Sequence, residues 1–281
     1  MMKNAAISTG KIVFYFLILG LFTAGLVEVG LPILGLNLDV ATPTSKILIL
    51  GVINFLVMSL PAMLLMAVFD RKSPVAMGLT PKGSIPDFLT GGAVGGFIFL
   101  SAVAAAFFGG WATFNPDLSK FSMSAMALSM IGMTLGAAGE EVMMRGYVLQ
   151  ELMSKFSTTA SVVVSSFIFT ALHAGALLKS DMALIGGLNI FLASVLLSLA
   201  YLGTRTLWLA IGIHAGWNIM QGPVLGFNVS GNDLGTGWQP VTVSGPDMVT
   251  GGIFGFEGSV LGLIGPTLGI LMMLAARRRT P

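Results

Sequence analysis

The chain has 281 residues, 55% of them hydrophobic and only 9% charged, whereas a soluble domain carries roughly 25% charge; a water-soluble globular fold is excluded. Fourteen Lys and Arg against twelve Asp and Glu give a formal charge of +2, and the basic residues are spread singly apart from a few short clusters rather than gathered into the patch of a nucleic-acid partner. With no cysteine, disulfides, thiolate metal sites and thiol nucleophiles are excluded together.

In chain order, the first apolar run, residues 12–36, follows Lys3 and Lys11 and lacks a small-x-small cleavage site, so it reads as a retained span and not a signal peptide. Further runs at 47–69, 88–111, 124–149, 162–178, 182–202, 206–221 and 253–276 can each cross a hydrocarbon core of ~30 Å. The expected fold is an all-α, polytopic integral membrane protein of eight transmembrane helices, forming one domain over residues 1–281. With the N-terminus inside, Lys3, Lys11, Arg71, Lys72, Lys82, Arg145, Lys155, Arg205, Arg277, Arg278 and Arg279 fall on or near the cytoplasmic side. Lys46, Lys120 and Lys179 are left outside. Short cytoplasmic loops hold the excess of Lys and Arg, so this asymmetry places both termini in the cytoplasm. Residues 70–87 form a Pro- and Gly-punctuated cytoplasmic connector, and residues 222–252 a long external loop. No internal repeat is visible, which weighs against transporters built from duplicated halves. Gly91, Gly92, Gly95 and Gly96 in the third run are expected to let helix backbones approach closely.

Charged groups within a span are costly, by about 2.5 to above 10 kcal/mol, and so mark functional interiors. Glu28 and Glu257 sit near the ends of their runs, where they can reach the interface; Asn54 and Asn189 suit interhelical hydrogen bonds. What remains is Glu140, Glu141, Arg145, His173, His214 and Asn218. Glu141 and Arg145, spaced i,i+4, share a helix face on which a charge-assisted pair offsets part of the desolvation. Glu140, rotated ~100° away, is free to face a cavity and act as a general base. A helix end carrying ordinary solvated charges is the competing reading. The only two histidines both fall in expected spans, Phe169 and His173 at i,i+4 in the fifth and His214 and Asn218 at i,i+4 in the seventh. A single membrane histidine is commonly a packing residue; three helices each bringing catalytic-type groups are harder to dismiss.

These residues, read in order as Glu140-Glu141-Val142-Met143-Met144-Arg145, Phe169-Thr170-Ala171-Leu172-His173 and His214-Ala215-Gly216-Trp217-Asn218, match the EExxxR, FxxxH and HxxxN pattern. The motif-bearing core, residues 124–221, thus resembles the CPBP intramembrane endopeptidases, which include the CAAX prenyl proteases and the bacteriocin-processing or self-immunity (Abi) proteins. The resemblance implies hydrolysis of a peptide bond by activated water in a membrane cavity open toward the cytoplasm. In it Glu140 is the base and His173 its partner, His214 and Asn218 face the oxyanion, Glu141 and Arg145 set the charge and position of Glu140, and Phe169 packs beside His173. The family is commonly labelled metalloprotease-like; Glu140, His173 and His214 can supply three zinc ligands. No His-Glu-x-x-His element enforces coordination, and the metal-free reading is favoured, with no cofactor required. The implied partners are membrane lipid and a lipidated or membrane-anchored peptide. Counting ~1.5 Å per residue from the expected cytoplasmic ends puts His214 ~12 Å, Glu140 ~14 Å and His173 ~16 Å deep. The Arg277-Arg278-Arg279 cluster reads as a cytoplasmic anchor. Two other classes stay open: a proton-coupled transporter using the same carboxylate and histidines as a relay, and a non-enzymatic immunity or scaffold protein.

Overall fold

The computed structural model describes residues 2–38, 41–232 and 237–277, with side chains described from residue 9 to 276 within those ranges. An apolar run away from water has to satisfy its backbone N–H and C=O groups internally, and the helix does so within one segment. The chain accordingly folds into α1 (Met2–Gly25), α2 (Pro43–Phe69), α3 (Ser84–Phe108), α4 (Met123–Glu141), α5 (Thr158–Leu172), α6 (Ala183–Thr204), α7 (Trp208–Ile219) and α8 (Ile264–Arg277). Thr42, Ser122 and Ser157 each accept a backbone N–H three residues on, which starts α2, α4 and α5 where the polar residue precedes the apolar run.

Among the described residues, four helices have the length and composition to cross a membrane: Thr9–Ile33, Pro43–Phe69, Ser84–Phe108 and Ala183–Thr204. Thr158–Leu172 and Ile264–Ala276 are shorter apolar helices. The chain is therefore a largely helical membrane protein. Several expected spans change shape. The fourth runs on past Glu141 through a π-helical stretch, Val142–Val148, to Met153. The fifth stops at Leu172, and His173 caps it. The last does not begin at residue 253: Gly251, Gly252 and Gly255 adopt φ of 82°, 56° and 90°, a left-handed path that breaks the helix, and α8 starts only at Ile264. A two-stranded antiparallel ribbon interrupts the all-helical pattern, β1 (Ala112–Phe114) pairing with β2 (Val241–Val243) in the register Thr113 to Thr242. The expected anchor at Arg277-Arg278-Arg279 lies outside the described residues apart from the backbone of Arg277.

Two close helix pairs set the frame of the molecule. A Cβ on Gly95 of α3 would stand 2.1 Å from the carbonyl oxygen of Ile213 in α7, and one on Gly212 would stand 2.3 Å from that of Phe88. Between α2 and α4, a Cβ on Gly51 would stand 2.2 Å from the Gly132 oxygen. The expectation for Gly91 and Gly95 is met, while Gly96 faces only the tip of Met220.

The two ends of the bundle differ. At the end that carries the basic connectors, Lys11 at the base of α1 pairs with Asp70 and lies 3.5 Å from Glu151. Residues 77–80 are tied to the helix ends by Gln150 Nε2 donating to the Met77 oxygen (3.0 Å), Leu207 N to Gly78 (2.9 Å) and Trp208 Nε1 to Thr80 (2.6 Å). At the opposite end the β ribbon ties the segment after α3 to the loop before α8, and Phe121 packs edge-on against Trp238.

Overpacking a tight contact costs about 1–3 kcal/mol. Gly95→Ala is expected to lower the thermal unfolding midpoint in detergent, whereas Gly203→Ala, whose Cβ would meet nothing within 4 Å, does not lower it.

Candidate active site

Glu141 sits at the last position of α4, directly before the π-helical stretch, and its side chain is fully buried. Its Oε1 accepts from Arg145 Nη1 at 2.9 Å and from His214 Nδ1 at 2.9 Å. Arg145 is 1% exposed; its Nη2 donates to the backbone oxygen and the hydroxyl of Ser194 in α6 at 2.9 and 2.8 Å, and its guanidinium lies 5.0 Å from the centre of the Phe169 ring. A buried charge is tolerated only when paired and hydrogen-bonded, and both conditions hold here. The i,i+4 pair is thus the expected one, but it reaches His214 rather than Glu140. Arg145 is not a charge of the basic end. Wide π turns recur at functional sites because they re-aim side chains out of the regular ladder, and this one carries Arg145 between α5 and α6.

The two imidazoles have their tautomers fixed by what their Nδ1 atoms meet. His173 Nδ1 lies 2.9 Å from the Phe169 carbonyl oxygen, which can only accept, so Nδ1 carries the proton and Nε2 is left as acceptor. His214 Nδ1 donates to Glu141, which leaves Nε2 of the neutral ring likewise an acceptor, 3.8 Å from Glu140 Oε2. Glu140 is partly exposed, yet its Oε2 is buried and has no hydrogen-bond partner among the described residues. Phe169 holds both rings, 4.9 Å from His173 and 6.3 Å from His214, each edge-on. This arrangement alters one expected role: a neutral His214 cannot donate to an oxyanion from Nε2, and only the imidazolium can.

Glu140, His173, His214 and Asn218 line one cavity of about 690 Å³. Its rim is formed by Ala41, Pro43 and Lys46 at the start of α2 and by residues 229–232, and it descends along α2 to Asn54, eleven residues or ~16 Å below Pro43. The mouth therefore lies at the end opposite the basic connectors, not at the end from which the depths were counted. His173 illustrates the difference: it stands fifteen residues, ~22 Å, beyond the start of α5, at the far tip of that helix. A second, smaller cavity of about 50 Å³ adjoins the same histidines and Asn218, walled by Ile98, Ile190, Leu197 and Trp217.

The donor chemistry of the two Nε2 atoms is that of metal-bound imidazoles, whose Nδ1–H is held by a carbonyl or carboxylate. Their placement does not complete the set: no group of three His, Cys, Asp or Glu among the described residues is gathered so as to hold a metal ion. Glu140, His173 and His214 thus do not form a zinc cage in this conformation.

Three contributors escape the sequence motifs. Ser194 has no pattern to distinguish it from neighbouring serines in an apolar helix. Asn54, expected as an interhelical hydrogen-bond partner, lines the cavity. Glu257, expected at the interface, is 7% exposed and accepts from Ser230 N (2.6 Å), Ser230 Oγ (3.1 Å) and Trp217 Nε1 (3.2 Å). It pins the loop that forms one wall of the cavity, where Ser230 adopts φ of 48°. The signal that would have found it is the cost of a carboxylate within the last apolar run.

Residues 121–220 match the family model described as Type II CAAX prenyl endopeptidase Rce1-like. The match holds all three motifs and covers 100 of the 281 residues, so it is this segment that is similar to the CAAX prenyl endopeptidases. No curated protein matches the chain.

Removing one partner of a buried pair leaves the other charge uncompensated at a cost of about 3–5 kcal/mol. Arg145→Met is expected to destabilise the protein by that amount in detergent denaturation, and Arg145→Met combined with Glu141→Gln to recover much of the loss.

Proposed function

We propose that this chain, a CPBP/CAAX-family membrane protein through its Rce1-like segment, is an intramembrane endopeptidase. In this reading it crosses the membrane eight times with both termini cytoplasmic and hydrolyses a peptide bond of a lipidated or membrane-anchored substrate. The observation that carries the reading is the floor of the cavity: Glu140 Oε2, buried and without a hydrogen-bond partner among the described residues, faces His214 Nε2 across 3.8 Å. Two acceptors at that separation are satisfied by a donor lying between them, and water is the donor that also hydrolyses amides.

Glu140 takes the proton of a water molecule whose other O–H donates to His214 Nε2. The water oxygen bonds to the scissile carbonyl carbon, and the oxyanion accepts from the Asn218 side-chain amide. Collapse of the tetrahedral species breaks the C–N bond, and the proton held by Glu140 passes to the leaving nitrogen. His173, its Nε2 an acceptor on the same cavity, takes a hydrogen bond from the substrate or water and keeps that side of the site polar. Glu141 fixes the His214 ring, its Oε1 accepting from both Arg145 and His214. No step runs through a metal.

A general base contributes about 10²–10⁴-fold to rate. Glu140→Gln is expected to reduce cleavage of a membrane-anchored peptide by at least the lower figure while leaving the unfolding midpoint unchanged, and chelators are expected to leave wild-type cleavage intact. The measurement is peptide-bond cleavage in lipid vesicles, followed by mass spectrometry. Full cleavage by Glu140→Gln removes the proposed base, and Glu140-dependent proton uptake without cleavage favours the relay of a transporter.

A further inference from the structure

The cavity and the charge distribution have opposite polarity. Among the described side chains outside the site, Lys11, Arg71, Lys72, Lys82, Lys155 and Arg205 cluster at one end of the bundle, against Lys46, Lys120 and Lys179 at the other. Short loops rich in Lys and Arg stay on the cytoplasmic side. At that end the route to Glu140 is closed twice. The connector is tied to α7 and to the end of the fourth helix by the Met77, Gly78 and Thr80 oxygens, with Thr206 Oγ1 meeting Asp87 at 3.3 Å. Above it lies a packed apolar layer in which Met77, Met143, Met144, Tyr147, Val148, Leu149 and Leu207 are each at most 1% exposed. The open end is the other one, where Lys46 and Asn232 stand exposed at the rim of the 690 Å³ cavity and the floor lies ~16 Å down.

We infer that the cavity admits its substrate from the non-cytoplasmic face, so that the substrate class is a membrane-anchored polypeptide whose scissile segment lies on the exported side of the membrane. This rests on the proteolytic reading for its chemistry but not for its geometry. A polypeptide presented on the cytoplasmic side would have to displace the bonded connector and the apolar layer before its carbonyl met Glu140. One presented from the other side passes the loop at residues 229–232, which Glu257 holds in place through Ser230. Lys46 at the rim offers a cation to a substrate carboxylate as it enters.

The chain has no cysteine, so single-cysteine variants report orientation directly. Lys46→Cys and Asn232→Cys, two independent rim positions, and Lys82→Cys on the connector are expressed in intact cells and treated with a membrane-impermeant maleimide, with a permeant maleimide as the control for accessibility. The inference expects the two rim positions to label in intact cells and Lys82→Cys to label only after permeabilisation. The reverse pattern overturns it. In parallel, two reporters carry the same cleavable segment on the exported or the cytoplasmic side of a single anchoring helix, each tested with wild type and Glu140→Gln. Glu140-dependent loss of the exported-side reporter alone is the expected result. Glu140-dependent loss of the cytoplasmic reporter alone overturns the inference and leaves the protease standing. Rim labelling from outside with neither reporter cut in a Glu140-dependent way overturns the proteolytic reading, and the substrate class falls with it.

Discussion

One carboxylate oxygen organises the interior of this protein. Glu141 Oε1 is shared by Arg145 and His214, and through them it joins the fourth helix to α6, α5 and α7. An ionised group in an apolar interior persists only when its partners are placed in advance, so the positions of Ser194, Phe169 and His214 are constrained together. The consequence for chemistry is a fixed tautomer. With Nδ1 committed to Glu141, His214 presents Nε2 to Glu140, and when the ring is neutral the cavity floor holds a carboxylate and an imidazole as two acceptors. The same logic is repeated at His173 with a backbone oxygen in place of the carboxylate.

The glycine contacts make this placement possible. Backbones in contact at Gly51 and Gly132, and at Gly95 and Ile213, hold α4 against α2 and α7 against α3. Below the site Met77, Met143, Met144 and Tyr147, each at most 1% exposed, close the basic end. The molecule is packed on one side of Glu140 and open on the other. The π-helical stretch acts locally: widening the helix after Glu141 lets Arg145 turn inward without ending the helix.

Much of this was legible in the sequence. The apolar runs fix the helices because a helix is the only way a lone apolar segment satisfies its own backbone, and the rarity of charge within them exposes Glu140, Glu141, Arg145 and both histidines. Other features depend on tertiary contacts that no spacing encodes. A cytoplasmic mouth is implied by the family resemblance, and depths counted from the cytoplasmic ends cannot test it, because they assume that every helix starts at the same level, whereas α5 ends at His173 and the connector tucks beneath Trp208. A continuous last helix would carry Glu257 to the interface; the glycines at 251, 252 and 255, all at positive φ, fold it back onto Ser230 instead. Ser194 is silent in sequence, since its value lies in meeting a guanidinium forty-nine positions away.

The histidine count offers a direct test of the central arrangement. With only two histidines in the chain, nitrogen-15 labelling of that residue type gives two imidazoles to resolve by magnetic resonance in lipid. The account predicts a proton on Nδ1 of both rings, with the His214 Nδ1 proton coupled to a carboxylate. A neutral His214 ring protonated on Nε2 alone, its Nδ1 bare, contradicts the shared-carboxylate arrangement on which the site is built.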